Sequence, residues 1–282
     1  MARGDEAAGR RLSFDLGWQL VAELLLLGSF AGFLAGLLGV GGGMLMVPFV
    51  TFLLTLKAFP EAYIVKMAVA TSLATICFTS LSSLRAHHGR GVIRWDVVKL
   101  LAPGIVVGSL LGAQIAKALP ARVLALFFAL FISFSALRMF IGKKPKPTRQ
   151  LPGTAGMLGA GGSIGVLSSL AGAGGAFISV PFMTWCNVPI HNAVATSAAL
   201  GFPIALAGTV GYVIAGWSLH DMPSGTLGFI YLPALLIISL ASVTTAPLGA
   251  HTAHRMDIAQ LKYAFAGLLF ALAADMLYKA IG

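Results

Sequence analysis

The residues whose type and spacing can do chemistry are glycines. Gly39, Gly41, Gly42 and Gly43 stand in GVGGGM, and Gly172, Gly174 and Gly175 stand in GAGGAF. Glycine tolerates positive φ and lets a ligand come close to the backbone. The first amides of a helix that follows such a segment lack intrahelical acceptors and lie at the positive end of its dipole. Two such ends brought together would hold an anion through neutral N–H donors. Pro48 and Pro181 follow the clusters, near helix starts where a missing N–H matters least. Close helix packing is the plainer use of small residues in apolar helices, and Gly104, Gly108 and Gly112 at i, i+4, i+8 are read that way. The paired clusters are read as anion-binding, because four glycines in the five residues 39–43 exceed what packing needs. They are not nucleotide loops: no Lys-Ser/Thr follows, and Met44 takes the place of the last glycine of GxGxxG.

A second pair of candidates lies in the AVATS segments 68–72 and 193–197, which place Thr71, Ser72, Thr196 and Ser197 inside apolar runs. Such hydroxyls either bond their own helix at i−4 or orient a solute, and both readings stay open. Lys66, about one and a half turns before Thr71, can supply a cation to an anion. Gln114 and His251 each follow a Gly-Ala pair and can line a pathway, and His251 can couple protons near neutral pH. Glu23, Asp275 and His251 fall near helix ends, where a charged head reaches water. Cys77 and Cys186 form no metal-ligand spacing. With no HExxH, no paired membrane aspartates and no Ser/His arrangement, we expect neither an enzyme nor a cofactor or metal site.

The elements that must position these residues are dictated by composition. Hydrophobic residues make up 58% of the 282 residues and charged residues only 10%, against about 25% charged in soluble domains. Apolar runs such as 20–38 and 97–116 have the roughly 20 residues that span a bilayer core. The net charge of +10 sits between these runs, as Arg85, Arg90 and Arg94 and as Lys143, Lys144, Lys146 and Arg149. That placement is orientation by positive loops, and it excludes the basic stripe of a nucleic-acid binder. Residues 1–17 are expected to be a cytoplasmic tail. Residues 142–152, broken by Pro145, Pro147 and Pro152, are expected to be a cytoplasmic linker.

The chain also repeats itself. Residues 32–50, GFLAGLLGVGGGMLMVPFV, match 165–183, GVLSSLAGAGGAFISVPFM, at an offset of 133, and AVATS then recurs. The expected fold is an all-α polytopic membrane protein of two homologous halves, 18–141 and 153–282. Each half holds a glycine-broken helix or re-entrant hairpin followed by three transmembrane helices. If the short apolar stretches after the glycines return as hairpins, each half adds an odd number of spans and the halves are inverted. If they continue a crossing, the halves are parallel. Counting Lys and Arg on the two sides gives 13 against 6 for the parallel arrangement and 11 against 8 for the hairpin one. The brevity of the stretches and the frequency of broken helices in inverted-repeat transporters weigh toward hairpins.

Glycine-rich segments followed by VPF in each half, AVATS in each half and a basic central linker resemble the sulfite exporter TauE/SafE family, over nearly the whole chain from Leu20 to Leu277. The resemblance implies a secondary transporter of sulfite, sulfonates or related anions in the bacterial inner membrane, working as an exporter. An anion channel or an uptake permease for another small anion is the alternative. The second half departs from the first with GAGGA in place of GVGGG, which implies a less symmetric site. The partners expected are a small anionic solute, the lipid bilayer, a coupled proton and a second copy of the chain in a homodimer.

Overall fold

The computed structural model describes residues 18–38, 43–89, 91–141, 149–219, 222–253, 266–267, 269–274 and 276–277. Gly39, Gly41, Gly42 and Asp275, most of the linker, the 1–17 tail and the His251 side chain lie outside the described residues.

Helices dominate. The first half carries α1 (Trp18–Leu38), α2 (Gly43–Leu56), α3 (Glu61–His88), α4 (Trp95–Ala118) and α5 (Ala121–Ile141). The second carries α6 (Thr154–Ala171), α7 (Ala176–Trp185), α8 (Ile190–Gly216) and α9 (Leu232–Ala253). Within the last expected helix, residues 269–274 are helical. Among the described residues six helices are long and apolar enough to cross a membrane. Apolar side chains also face outward, with Leu236 67% and Leu240 68% exposed one turn apart on α9. Water would not tolerate that stripe, but lipid does. The chain is a helical, multi-pass membrane protein.

Helix lengths differ on the two sides of each glycine break. The 21 residues of α1 and 18 of α6 rise about 31 and 27 Å, close to a full hydrocarbon core. The 14 residues of α2 and 10 of α7 rise only about 21 and 15 Å. The limb that enters each glycine break is therefore of full length, and only the limb that leaves it is short.

Close glycine contacts fix helix directions. Gly104, Gly108 and Gly112 of α4 face Leu158, Gly162 and Val166 of α6 in the same order, so these helices run parallel. Gly28 and Gly32 of α1 meet Ile238 and Ser242 of α9 in the same way. A Cβ at Gly108 would run into the carbonyl of Gly162, so it is glycine that lets the two backbones approach so closely. In contrast, Leu73 meets Gly208 while Ser80 meets Gly201, so α3 and α8 run antiparallel through the centre. The short α2 and α7 each run against the helix that follows them: Gly43 lies against Ile76, and Gly175 against Ile204.

One element departs from an all-helical fold. Thr226–Leu227 pairs with Ile230–Tyr231 as a two-stranded antiparallel hairpin, and α9 begins only after it, at Leu232. The apolar run from 227 reads as helix, but Gly225 at φ +78° and Gly228 at φ +56° turn the chain. Gly228 lies against the backbone of Val213, where a Cβ would sit 2.6 Å from its carbonyl oxygen. This contact seats the hairpin on the end of α8.

Candidate functional site

The two glycine segments meet at one side chain. The Ser72 hydroxyl of α3 lies 3.2 Å from the Gly43 carbonyl and 3.0 Å from the Gly172 carbonyl. It is thus placed to donate to a carbonyl of either half. Ser72 is 1% exposed, so this junction lies in the molecular interior. A Cβ on Gly43 would press on the Gly172 carbonyl at 2.8 Å, and one on Gly172 on Val47 at 2.6 Å. The absence of side chains is what lets the two breaks touch.

The second-half break is defined in detail. Gly172, at φ +61°, ends α6 in the left-handed conformation favoured at a helix C-terminus. Its N–H and that of Ala173 both bond the Ser168 carbonyl. Gly175, at φ +78°, caps the start of α7, and its carbonyl accepts the N–H groups of Ile178 and Ser179. Ser179 donates its hydroxyl to the same carbonyl at 3.0 Å. Ser197 of α8 lies 2.6 Å from the Ser179 hydroxyl. Since the Ser179 proton is directed to Gly175, Ser197 is the donor of that pair. Gly174 lies against Ile76 of α3.

The AVATS threonines do something different. Thr71 accepts the backbone N–H of Tyr231 at 3.0 Å, immediately before α9. Thr196 accepts the backbone N–H of Arg94 at 3.0 Å, immediately before α4. Each threonine therefore holds the start of a helix belonging to the other half, supplying an acceptor that a helix N-terminus otherwise lacks. Both are fully buried.

The remaining candidates are placed elsewhere. Lys66, 7% exposed, donates to the Lys117 carbonyl at 2.9 Å near the end of α4. Six residues before Ser72, it lies about 9 Å away along α3 and on another face. Gln114 donates to the Gly211 carbonyl at 3.2 Å, joining α4 to α8. The structure thus brings Gly43, Ser72, Gly172 and Gly174 together, with Gly175 and Ser197 beside them. It leaves Lys66 and Gln114 in contacts between helices.

Sequence reasoning passed over Ser168 and Ser179. The signal was present: SS at 168–169 and Ser179 interrupt an otherwise apolar match to Ala35, Gly36 and Met46 of the first half. Among the described residues no group of three or more His, Cys, Asp or Glu side chains can hold a metal ion. The arrangement offers buried hydroxyls and backbone groups, which can hydrogen-bond a solute.

A probable membrane transporter protein of Haemophilus influenzae is 36% identical over 257 residues, covering 90% of this chain and 97% of that protein. Another from Methanocaldococcus jannaschii is 24% identical over 263 residues, covering 92% and 96%. A third, YdhB of Bacillus subtilis, is 30% identical over 193 residues, covering 66% and 76%. No solved structure matches the chain. The profile of the family described as Sulfite exporter TauE/SafE matches residues 24–276, and the chain belongs to that family.

Proposed function

We propose that this protein is a secondary transporter that exports small sulfur-containing anions, sulfite or organosulfonates, by alternating access. The observation that carries this reading is the meeting of both glycine breaks on Ser72, whose buried hydroxyl lies within hydrogen-bond reach of a carbonyl from each half, beside the first residue of α2 and the break that leads into α7. Helix-start amides bind anions without a fixed positive charge. Irregular backbone at membrane depth is tolerated where it is covered by protein or lines a path. Gly43, Gly172, Gly174 and Gly175 supply the backbone of the site, with Ser72 and Ser197 beside it and Thr71 and Thr196 bracing it; Gly39, Gly41 and Gly42 join them on the sequence pattern alone.

The halves act as an inverted repeat. The antiparallel course of α3 and α8, which carry the two AVATS segments, supports an inverted plan over a parallel one. Such a repeat offers two mirror arrangements of near-equal energy, open to opposite sides. The names borne by the relatives, probable membrane transporter proteins, support the transport reading. In this inverted plan the 1–17 tail and the basic linker face opposite sides of the inner bacterial membrane, and the linker's side, which carries 11 of the 19 Lys and Arg, is the cytoplasmic one.

The test is uptake of radiolabelled sulfite and methanesulfonate into proteoliposomes, with and without an imposed pH gradient. Saturable uptake that is exchangeable with unlabelled anion, and faster under the gradient, is the expected result. A conductance that rises linearly with anion concentration, with no exchange, would replace the transporter by an anion channel.

A further inference from the structure

The two AVATS threonines clasp segments that match each other. Thr196 accepts the Arg94 N–H at the end of Gly91-Val92-Ile93-Arg94, and Thr71 accepts the Tyr231 N–H at the end of Gly228-Phe229-Ile230-Tyr231. Each segment opens on a glycine of positive φ, +66° at Gly91 and +56° at Gly228. Each continues through a buried isoleucine and leads directly into a crossing helix, α4 or α9. The segments lie at opposite faces of the membrane, because 91–94 follows the end of α3, 226–231 follows the end of α8, and those helices are antiparallel. Since α4 and α5 cross and return, the strap 91–94 shares the face of the linker, the cytoplasmic one in the proposed orientation.

The two segments are held unequally. A Cβ at Gly91 would meet nothing within 4 Å, whereas one at Gly228 would sit 2.6 Å from the Val213 carbonyl oxygen. Phe229 packs on Tyr63 and Tyr212, and Tyr231 on Phe59, with ring centroids 6.0, 6.2 and 5.3 Å apart. Phe229, Ile230 and Tyr231 are all buried. In the strap Val92 is half-buried, and the Arg94 side chain is 42% exposed in its ion pair with Asp96. A second tie, Asn192 donating to the Val92 carbonyl at 2.9 Å, is only partly buried. Partly exposed hydrogen bonds and surface ion pairs give way to water at little cost, while buried aromatic contacts do not.

We infer that these segments are the two gates of the transport path, the strap 91–94 on the cytoplasmic side and the hairpin 226–231 on the other, and that without solute the strap opens the more readily. The inference rests on the transport reading and deepens it by naming the parts that move. Thr196 and Thr71 stand directly before Ser197 and Ser72 of the junction, so release of either clasp opens the protein toward the glycine breaks. Opening the strap breaks partly exposed hydrogen bonds beside a glycine with room to turn. Opening the hairpin uncovers aromatic rings and lifts Gly228 from Val213. An exporter with this bias waits open to the side that supplies its solute.

The experiment places a reporter thiol at the junction by Ile76→Cys, in the full chain carrying Cys77→Ala and Cys186→Ala. Ile76 is 1% exposed and lies against Gly43 and Gly174. A small membrane-impermeant methanethiosulfonate reagent is applied to inside-out and to right-side-out vesicles. Labelling should be about tenfold faster from the cytoplasmic face, the scale of one hydrogen bond. Adding Thr71→Val should raise the rate from the opposite face by about tenfold. Adding Thr196→Val should raise the rate from the cytoplasmic face, and Thr71→Ser, which keeps the acceptor, should match the parent. Labelling from neither face would make both segments static braces, and equal or reversed rates would remove the gate assignment, so each result overturns the inference. If a valine variant does not fold, hydrogen exchange in the wild type decides: the amides of 92–94 should exchange faster than those of 229–231, and equal or reversed rates would overturn it. A parent that labels from one face but transports neither sulfite nor any sulfonate would instead defeat the transport reading, because labelling needs no solute.

Discussion

The environments of α3 and α8 share one device and differ in another. On both helices the AVATS threonine accepts an N–H at the start of a helix from the other half, each at 3.0 Å. The serine beside it is used differently. Ser72 reaches the glycine carbonyls directly, touching both halves. Ser197 reaches Gly175 only through Ser179. The bracing is alike and the centre is not. A transporter built this way can keep two arrangements close in energy through matched braces, while binding its solute asymmetrically.

The largest test of that contrast is at the glycines. Gly175→Ala forces a side chain into positive φ and against Ile204, and should cost about 2–4 kcal/mol. Gly43→Ala meets Ile76 and the Gly172 carbonyl without a left-handed backbone, and should cost about 1–3 kcal/mol. Thermal unfolding in detergent would rank them, and equal losses would remove the asymmetry of the two breaks. Next come the braces. Thr71→Val and Thr196→Val each remove the acceptor of a helix-start N–H, for about 1–3 kcal/mol. The loss should be greater for Thr71, whose bond is fully buried while that of Thr196 is partly so. A reversed order would mean that the hairpin before α9 gives way more easily than the loop before α4.

Serine substitutions sharpen the comparison further. Ser72→Ala should lower stability by about 0.5–1.5 kcal/mol. Ser197→Ala should cost less, about 0.5 kcal/mol, because Ser179 still holds Gly175. Chemical denaturation of the two variants side by side would settle the order. The smallest effects are expected at the candidates that the fold draws away from the junction. Lys66→Gln and Gln114→Ala should each cost about 0.6 kcal/mol, the mean for hydrogen bonds between membrane helices. Anion KM should stay unchanged in proteoliposomes. A raised KM in Lys66→Gln would return the ammonium to the solute path.

Much of the fold was legible because its signals are local. Apolar runs give the helices: α1 (Trp18–Leu38) holds the run 20–38 and α4 (Trp95–Ala118) the run 97–116. The hairpin before α9 was not legible. Its residues are apolar, and it is the seat on α8, supplied by Gly216 and Gly228, that turns them into strands. At the site, the glycines and Ser72 could be singled out because they recur. Lys66 and Gln114 were read as solute contacts because periodicity shows that a residue is buried and not what it faces. Ser168 was passed over because a serine in an apolar helix ordinarily bonds its own helix carbonyl.

By itself the sequence determined that the chain enters a membrane, where its spans lie and which glycines break them. Hydrophobic length and glycine's missing side chain act residue by residue, and no partner is needed to read them. The tertiary structure alone decided which break meets which, that α3 and α8 run antiparallel, and that the AVATS threonines cap helices from the other half. Those outcomes depend on which backbone approaches which across about 100 residues of chain, as between Ser72 and Gly172. Packing between helices sets that distance, and no local pattern encodes it.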